Sequence, residues 1–261
     1  MNLVITGIGS TPYRKVRSAI RYSFKHGKPF LPELTAKGET MANDYIKFPG
    51  AMLCLYEFVS EIKKQGCKTV KLQTPGVVLL MQNGYSADNA VTAVNNHVSV
   101  LLHPFRELGL NQIDLFIDEP GVGTYPNYDA LPDLWSPVIN NPDVKELGVK
   151  LGLHTCGNME WDRLYGIGIK TISFDASLYD IMLSSKYNEF RESGGRVGWG
   201  VDFGKGKRFR TVADIIEHLK KHAKDGDYLT LACGASHFRY TPAKANAKLR
   251  MLQSIERSLY S

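Results

Sequence analysis

The sequence predicts an α/β protein folded as a single (β/α)8 TIM barrel, and three observations predict it. Apolar runs of strand length alternate eight times with longer segments of helical period. Eight such units fill about 250 residues, the usual size of this barrel. No proline-rich or low-complexity stretch offers a linker, so residues 1–261 read as one catalytic domain.

Taken in order, the first strand covers 3–8 and ends in Gly9-Ser10-Thr11-Pro12, followed by a helix over 14–25. A second strand at 29–34 runs on to Lys37-Gly38-Glu39, with a helix over 51–65. The third, 69–73, ends in Thr74-Pro75-Gly76 before a helix over 87–108. The fourth, 113–118, ends in Asp118-Glu119-Pro120, and a helix follows at 131–140. The fifth, 149–154, leads into His154-Thr155-Cys156-Gly157 and a helix at 160–166. The sixth, 171–174, ends in Asp175-Ala176, with a helix over 179–193. The seventh, 196–201, ends in Asp202-Phe203-Gly204 before a helix at 212–224. The eighth, 228–231, ends in Ala232-Cys233-Gly234-Ala235-Ser236-His237 before a last helix at 243–259. A doubly wound open sheet is the alternative fold. Its dinucleotide fingerprint is missing, because Gly7-Ile8-Gly9-Ser10-Thr11-Pro12 has proline where a glycine is needed.

With 43% apolar residues the chain can bury a full core, and no run of eighteen apolar residues exists to span a bilayer. Met1 to Thr6 leads straight into a strand without the features of a signal peptide, so a cytoplasmic protein is expected. The four cysteines lie far apart, which favours free thiols or metal ligands over a disulfide framework. A net charge of +6 is mild. Its one dense run, Lys205 to Arg210, suits a small anion better than nucleic acid and a solvated loop better than either, so neither a nucleic-acid nor a membrane partner is expected.

In a barrel, chemistry sits where the strands end. Side chains two apart on a strand share a face, so His154 and Cys156 can reach one ion. The bland alternative is a small buried cysteine beside a hydrogen-bonded histidine. Cys233 and Asp175, at other strand ends, complete a possible N/S/S/O set for Zn²⁺. Asp118 and Glu119 before a proline also fit a simple strand-end turn, and Glu39 fits a solvated loop. His237 reads as a surface histidine near Cys233, and His218 and His222 as solvent-facing helix neighbours.

These residues resemble the cobalamin-independent methionine synthases, within the superfamily that includes uroporphyrinogen decarboxylase and the methylcobamide:coenzyme M methyltransferases. Thr6-Gly7-Ile8-Gly9-Ser10-Thr11-Pro12 looks like that family's T-x-I-G-S-x-P opening. Lys37-Gly38-Glu39 through Asn43-Asp44 is similar to its H-G-E-x-x-x-N-D, and Ile117-Asp118-Glu119-Pro120 to its I-D-E-P. The His-x-Cys pair and late Cys-Gly resemble its zinc ligands. The resemblance implies Zn²⁺ on His154, Cys156 and Cys233, with Asp175 standing where the family has glutamate. It places Ser10, Glu39 and Asp118 around the amino-acid end of a homocysteine-like thiol, with Asp118 and Asp202 as catalytic groups.

There are departures. The synthases are tandem barrels, and this chain has room for one. No tryptophan follows shortly after Thr74-Pro75-Gly76 where the family stacks its pterin, Trp135, Trp161 and Trp199 lying elsewhere, and Asp202 stands where the family has a proton-donating histidine. Single-barrel relatives that take methyl from a corrinoid would tolerate both losses, so the methyl donor stays open between a folate and a corrinoid protein or methylcobalamin. The expected function is zinc-dependent transfer of a methyl group onto a thiol. The alternatives are a lyase of the uroporphyrinogen decarboxylase type and a non-catalytic corrinoid- or metal-binding partner.

Overall fold

In the computed structural model, which describes residues 1–48, 50–235 and 239–260, seven parallel strands form one curled sheet in the order β1-β7-β6-β5-β4-β3-β2. They are β1 (Val4–Ile5), β2 (Thr69–Pro75), β3 (Gln112–Asp118), β4 (Lys150–Thr155), β5 (Thr171–Asp175), β6 (Arg196–Val201) and β7 (Tyr228–Leu231). The helices are α1 (Val16–Ser23), α2 (Leu55–Gln65), α3 (Val77–Gln82), α4 (Ala87–Leu102), α5 (Leu131–Ile139), α6 (Pro142–Glu146), α7 (Tyr187–Glu192), α8 (Val212–His222) and α9 (Pro242–Tyr260).

The expected strand at 29–34 is not a regular strand. It makes isolated parallel bridges, Ser10 to Glu33 and Phe30 to Lys71. Proline occupies 29 and 32 and cannot donate to a ladder, which limits pairing to alternate positions. The segment still lies between the two sheet edges. Glu33 N donates to Gly9 O (3.1 Å) and Thr11 N to Glu33 O (2.9 Å) on one side. Leu31 N donates to Lys71 O (3.0 Å) and Lys71 N to Pro29 O (2.8 Å) on the other.

Two expected helices shrink. Residues 160–166 hold only a single turn, Trp161–Arg163. Of 179–193, only α7 is α-helical, because Asp180 caps a separate turn at Ile181–Leu183 and Asp162 holds the backbone N of Lys186 (3.1 Å) along with the Ser184 hydroxyl. Helix α4 stops at Leu102, where Pro104 enters a tight turn. Helices α3 and α6 have no counterpart in the sequence expectations.

Alternation along β3 sorts its side chains. Ile113, Leu115 and Ile117 join the buried apolar layer under the helices, while Phe116 meets the Tyr228 ring of β7 edge-on across the sheet's concave side (5.9 Å). Gly152 on β4 makes that possible, since a Cβ there would lie 2.8 Å from the Phe116 ring. At the start of the strands the buried carboxylates are well partnered, although Arg191 Nε is left without a hydrogen bond. Asp114 takes the Lys28 ammonium, Tyr228 Oη (2.9 Å) and Gln112 Nε2 (2.7 Å). Next to it, Asp227 accepts both Arg191 Nη atoms (2.7 and 2.8 Å), Val197 N, Trp199 Nε1 (each 2.9 Å) and Lys224 N (3.0 Å). His218 is not solvent-facing: its ring packs on Trp199 (5.4 Å) and Phe209 (5.2 Å). Among the described residues no helix is long and apolar enough to cross a membrane.

Candidate metal centre

The carboxyl ends of β4 and β7 deliver three potential ligands to one place, beside the end of β3. Ligand atoms of His154, Cys156 and Cys233 all lie within 4.8 Å of one another. His154 is the inward residue of β4 beside Asp118 of β3, and its Nδ1 sits 3.1 Å from Ser173 Oγ on β5. That contact fixes the ring and leaves Nε2 buried without a hydrogen-bond partner. Cys156 follows in a turn closed by Gly157 N donating to Thr155 Oγ1 (3.2 Å). Cys233 follows β7, and its backbone is pressed on the first loop: a Cβ on Gly234 would lie 1.9 Å from Ser10 Oγ, and Ala235 N donates to Ser10 O (3.1 Å).

The two thiols are hydrogen-bonded to each other, and this contact, with burial, pushes the Cys233 thiol well above its ordinary range. Two hydrogen-bonded thiols beside an unpartnered imidazole nitrogen are a donor set for a borderline-soft cation, which would displace the thiol protons and be held by these three residues. The residues therefore fit the Zn²⁺ that the sequence suggests.

Asp118 is buried beside the triad with Oδ1 unpartnered. Burial pushes its carboxyl up to about 6, with His154 and Lys71 pulling the other way. The remaining expected site residues stand as follows. Asp175 lies outside the three-residue group: Oδ1 accepts from Ser177 N (2.8 Å) and Oδ2 faces Lys207 Nζ (3.5 Å). Glu39 is no solvated loop residue; it is buried and its oxygens brace the backbone N of Leu34 (2.5 Å) and Leu53 (2.8 Å). Asp202 Oδ1 pairs with Lys248 Nζ (3.0 Å) at the rim. His237 lies outside the described residues.

Glu119 turns away from Asp118. It accepts from Val78 N (3.0 Å), Leu79 N (2.8 Å) and Trp135 Nε1 (3.0 Å), which makes it the cap of α3. Gly76 is required there, since a Cβ would lie 2.0 Å from the Glu119 carboxyl carbon.

Sequence reasoning missed two buried charges in this region. Glu33 accepts from Met41 N (3.1 Å); burial pushes it up to about 8, and Glu39, Asp118 and Asp44 push in the same direction. Lys71 is wholly buried, donates to Ile8 O (2.8 Å) and lies 4.8 Å from the Phe116 ring centre. Burial pulls its ammonium down to about 8, against Asp118 and Asp114. The available signal was a lone charge inside an otherwise apolar strand pattern, Phe30-Leu31-Pro32-Glu33-Leu34 and Val70-Lys71-Leu72.

No protein-family model and no curated protein matches the sequence. Solved structures do match in fold. A 3-keto-D-glucoside 4-epimerase from E. coli superposes with a TM-score of 0.55 at 13% identity, over 97% of this chain and 100% of that one. A putative vitamin-B12 independent methionine synthase from Listeria monocytogenes superposes with a TM-score of 0.50 at 12% identity, over 97% of this chain and 99% of that one. At such identity the likeness is one of fold, and the same fold serves both an epimerase and a synthase.

Proposed function

We propose that this chain is a zinc-dependent methyltransferase that moves a methyl group onto a thiol such as homocysteine. One observation carries the reading: the imidazole of His154 and the sulfurs of Cys156 and Cys233 converge within 4.8 Å at the strand ends. A sulfur-rich donor set favours a sulfur substrate over the carbonyl polarisation that a sugar epimerase would ask of a metal. The overall arrangement is a single-domain (β/α)8 barrel in which 29–34 is the eighth stave, a reading supported by its hydrogen bonds to both Gly9 and Lys71.

Bound by His154, Cys156 and Cys233, Zn²⁺ would supply the charge that keeps a substrate thiol ionised near neutral pH. Ser173 holds the His154 ring in the orientation that presents Nε2. Asp118 Oδ1, unpartnered and beside the triad, accepts the thiol proton or meets the substrate ammonium, with Glu33 as the second acid on that side. Ser10 lines the same rim. The substrate thiolate then attacks the methyl carbon in line; the S–C bond forms as the donor's bond to carbon breaks, and that electron pair leaves with the donor. Orientation supplies much of the rate. A methylcorrinoid is the donor we favour, since no tryptophan stands shortly after Thr74-Pro75-Gly76 for a pterin.

The test is metal content and transfer together. Purified protein is expected to hold about one zinc per chain, and Cys156→Ser or Cys233→Ser to lose it. Homocysteine should then be methylated from methylcobalamin in preference to methyl-folate. Native protein without zinc, and unaffected by both substitutions, would end this reading.

A further inference from the structure

The run of positive charge at 205–210 is not a solvated tail of the β6 loop. Phe209 is buried, Gly204 N donates to Phe209 O (3.0 Å), Lys207 N to Gly204 O (3.1 Å), and Arg208 N to Ser177 O (2.7 Å). Asp202 N donates to Ser177 Oγ (2.6 Å), and the Arg208 guanidinium pairs with Asp180. Gly206, at φ +80°, supplies the left-handed turn that the loop needs. The loop is thus strapped to residues 175–180 at the end of β5, and it delivers Lys207 Nζ to within 3.5 Å of Asp175 Oδ2.

Asp175 is placed like a ligand and yet is not one of the group. His154 pairs in register with Ser173, so Asp175, two residues further along β5, shares the inward face with His154. Asp175 is buried, its side chain 6% exposed, and both oxygens are engaged, one by Ser177 N and one by Lys207. With two thiolates, a divalent cation is already neutralised. A carboxylate would make the set anionic and fill the position that an incoming thiolate needs.

We propose that Lys207 is a positioning residue that withholds Asp175 from the metal, so that the fourth coordination position stays open for the substrate sulfur. The proposal rests on the zinc reading above. Its direct consequence is that removing the ammonium converts a three-ligand site into a four-ligand one.

The test uses the full chain loaded with Zn²⁺ or with Co²⁺, whose absorption reports the ligand set, and 2-mercaptoethanol as the thiol probe. Lys207→Met is expected to hold zinc roughly tenfold more tightly against a chelator and to need roughly tenfold more 2-mercaptoethanol for the half-maximal thiolate-to-cobalt band, the size of effect expected of a group behind a ligand. Its Co²⁺ spectrum should also differ before any thiol is added. Lys207→Met/Asp175→Asn should return to wild-type behaviour, Lys207→Arg should keep it, and Asp175→Asn alone should hold zinc as the wild type does. Wild-type zinc affinity and thiol response in Lys207→Met, or loss of zinc in Asp175→Asn, overturns the latch. A wild-type chain that retains no zinc removes the metal reading beneath it, a result distinct from the other two.

Discussion

The two ends of the sheet bury comparable amounts of charge and treat it in opposite ways. At the floor, Asp227 has five donors and Asp114 has three, so every carboxylate meets a cation or an N–H. At the mouth, Asp118 Oδ1 and His154 Nε2 are buried with no partner, and two thiols share one hydrogen bond. A buried polar group left unmatched costs about 1–3 kcal/mol. Both floor carboxylates are matched, with only the nitrogen Arg191 Nε of that pair left over, whereas the mouth leaves a carboxylate oxygen and an imidazole nitrogen of one cluster unmatched, where the proposed ligand would meet them. The difference separates residues that hold the sheet together from residues left without a partner.

Replacing the best-satisfied group should give the largest loss of stability and no direct loss of metal. Asp227→Ala strands the Arg191 guanidinium, which is 2% exposed, along with the Trp199 and Val197 N–H groups. Removing one partner of a buried pair costs about 3–5 kcal/mol. Denaturant unfolding should show that loss, while the zinc bound per folded chain stays unchanged. Destabilisation below about 1 kcal/mol would place the floor in the same class as an exposed ion pair.

The mouth should respond to pH. Burial raises Glu33 from its ordinary value of 4.5 to about 8 in the folded chain. A folded value above the unfolded one means that the native state holds the proton more tightly. Stability is then fully present below about pH 4.5 and is lost as pH rises through 8. Asp118, raised to about 6, acts in the same direction lower in the range. For Glu33 the effect is on the order of 2–4 kcal/mol, and Glu33→Gln should flatten the metal-free protein's stability between pH 5 and 8. An unchanged slope would detach Glu33 from the acidic side of the mouth.

Glu119 belongs with the floor in this sense, although it adjoins Asp118 in the sequence. Its carboxylate accepts three N–H donors at α3 and α5. Glu119→Gln turns one acceptor into a donor facing donors, with an expected cost of about 1–3 kcal/mol. Zinc binding should persist. Loss of zinc at full stability would move Glu119 into the site.

What the sequence made legible follows the same division. Inward alternation along β4 is a local property, so His154 and Cys156 could be paired by inspection, and strand ends bearing Cys233 and Asp118 could be sorted to one rim. The orientation of Glu39 and Glu119 could not, because each is decided by backbone N–H groups far along the chain, at Leu53 for one and Val78 and Leu79 for the other. Asp175 was legible at its strand end, but its contact with Lys207 was not, since the loop that brings Lys207 to it is shaped by contacts to Ser177 that no periodicity encodes. The prolines at 29 and 32 were legible as residues, but their effect on a ladder depends on which neighbours lie on each side.

The smallest stability effect should accompany a complete loss of metal. Cys233 is only partly buried, and in the metal-free chain its serine substitution alters weak sulfur hydrogen bonds to Cys156 and to the Gly234 backbone. Metal-free Cys233→Ser should therefore unfold within about 1 kcal/mol of the metal-free wild type. Adding zinc should stabilise the wild type in proportion to the logarithm of its concentration and leave the variant where it was. This pairing of a silent structural change with a total binding change is what the comparison of the two ends demands. A Cys233→Ser protein destabilised like Asp227→Ala would mean that the sulfur is part of the scaffold, and the distinction between a satisfied end and a waiting end would fail at its most exposed point.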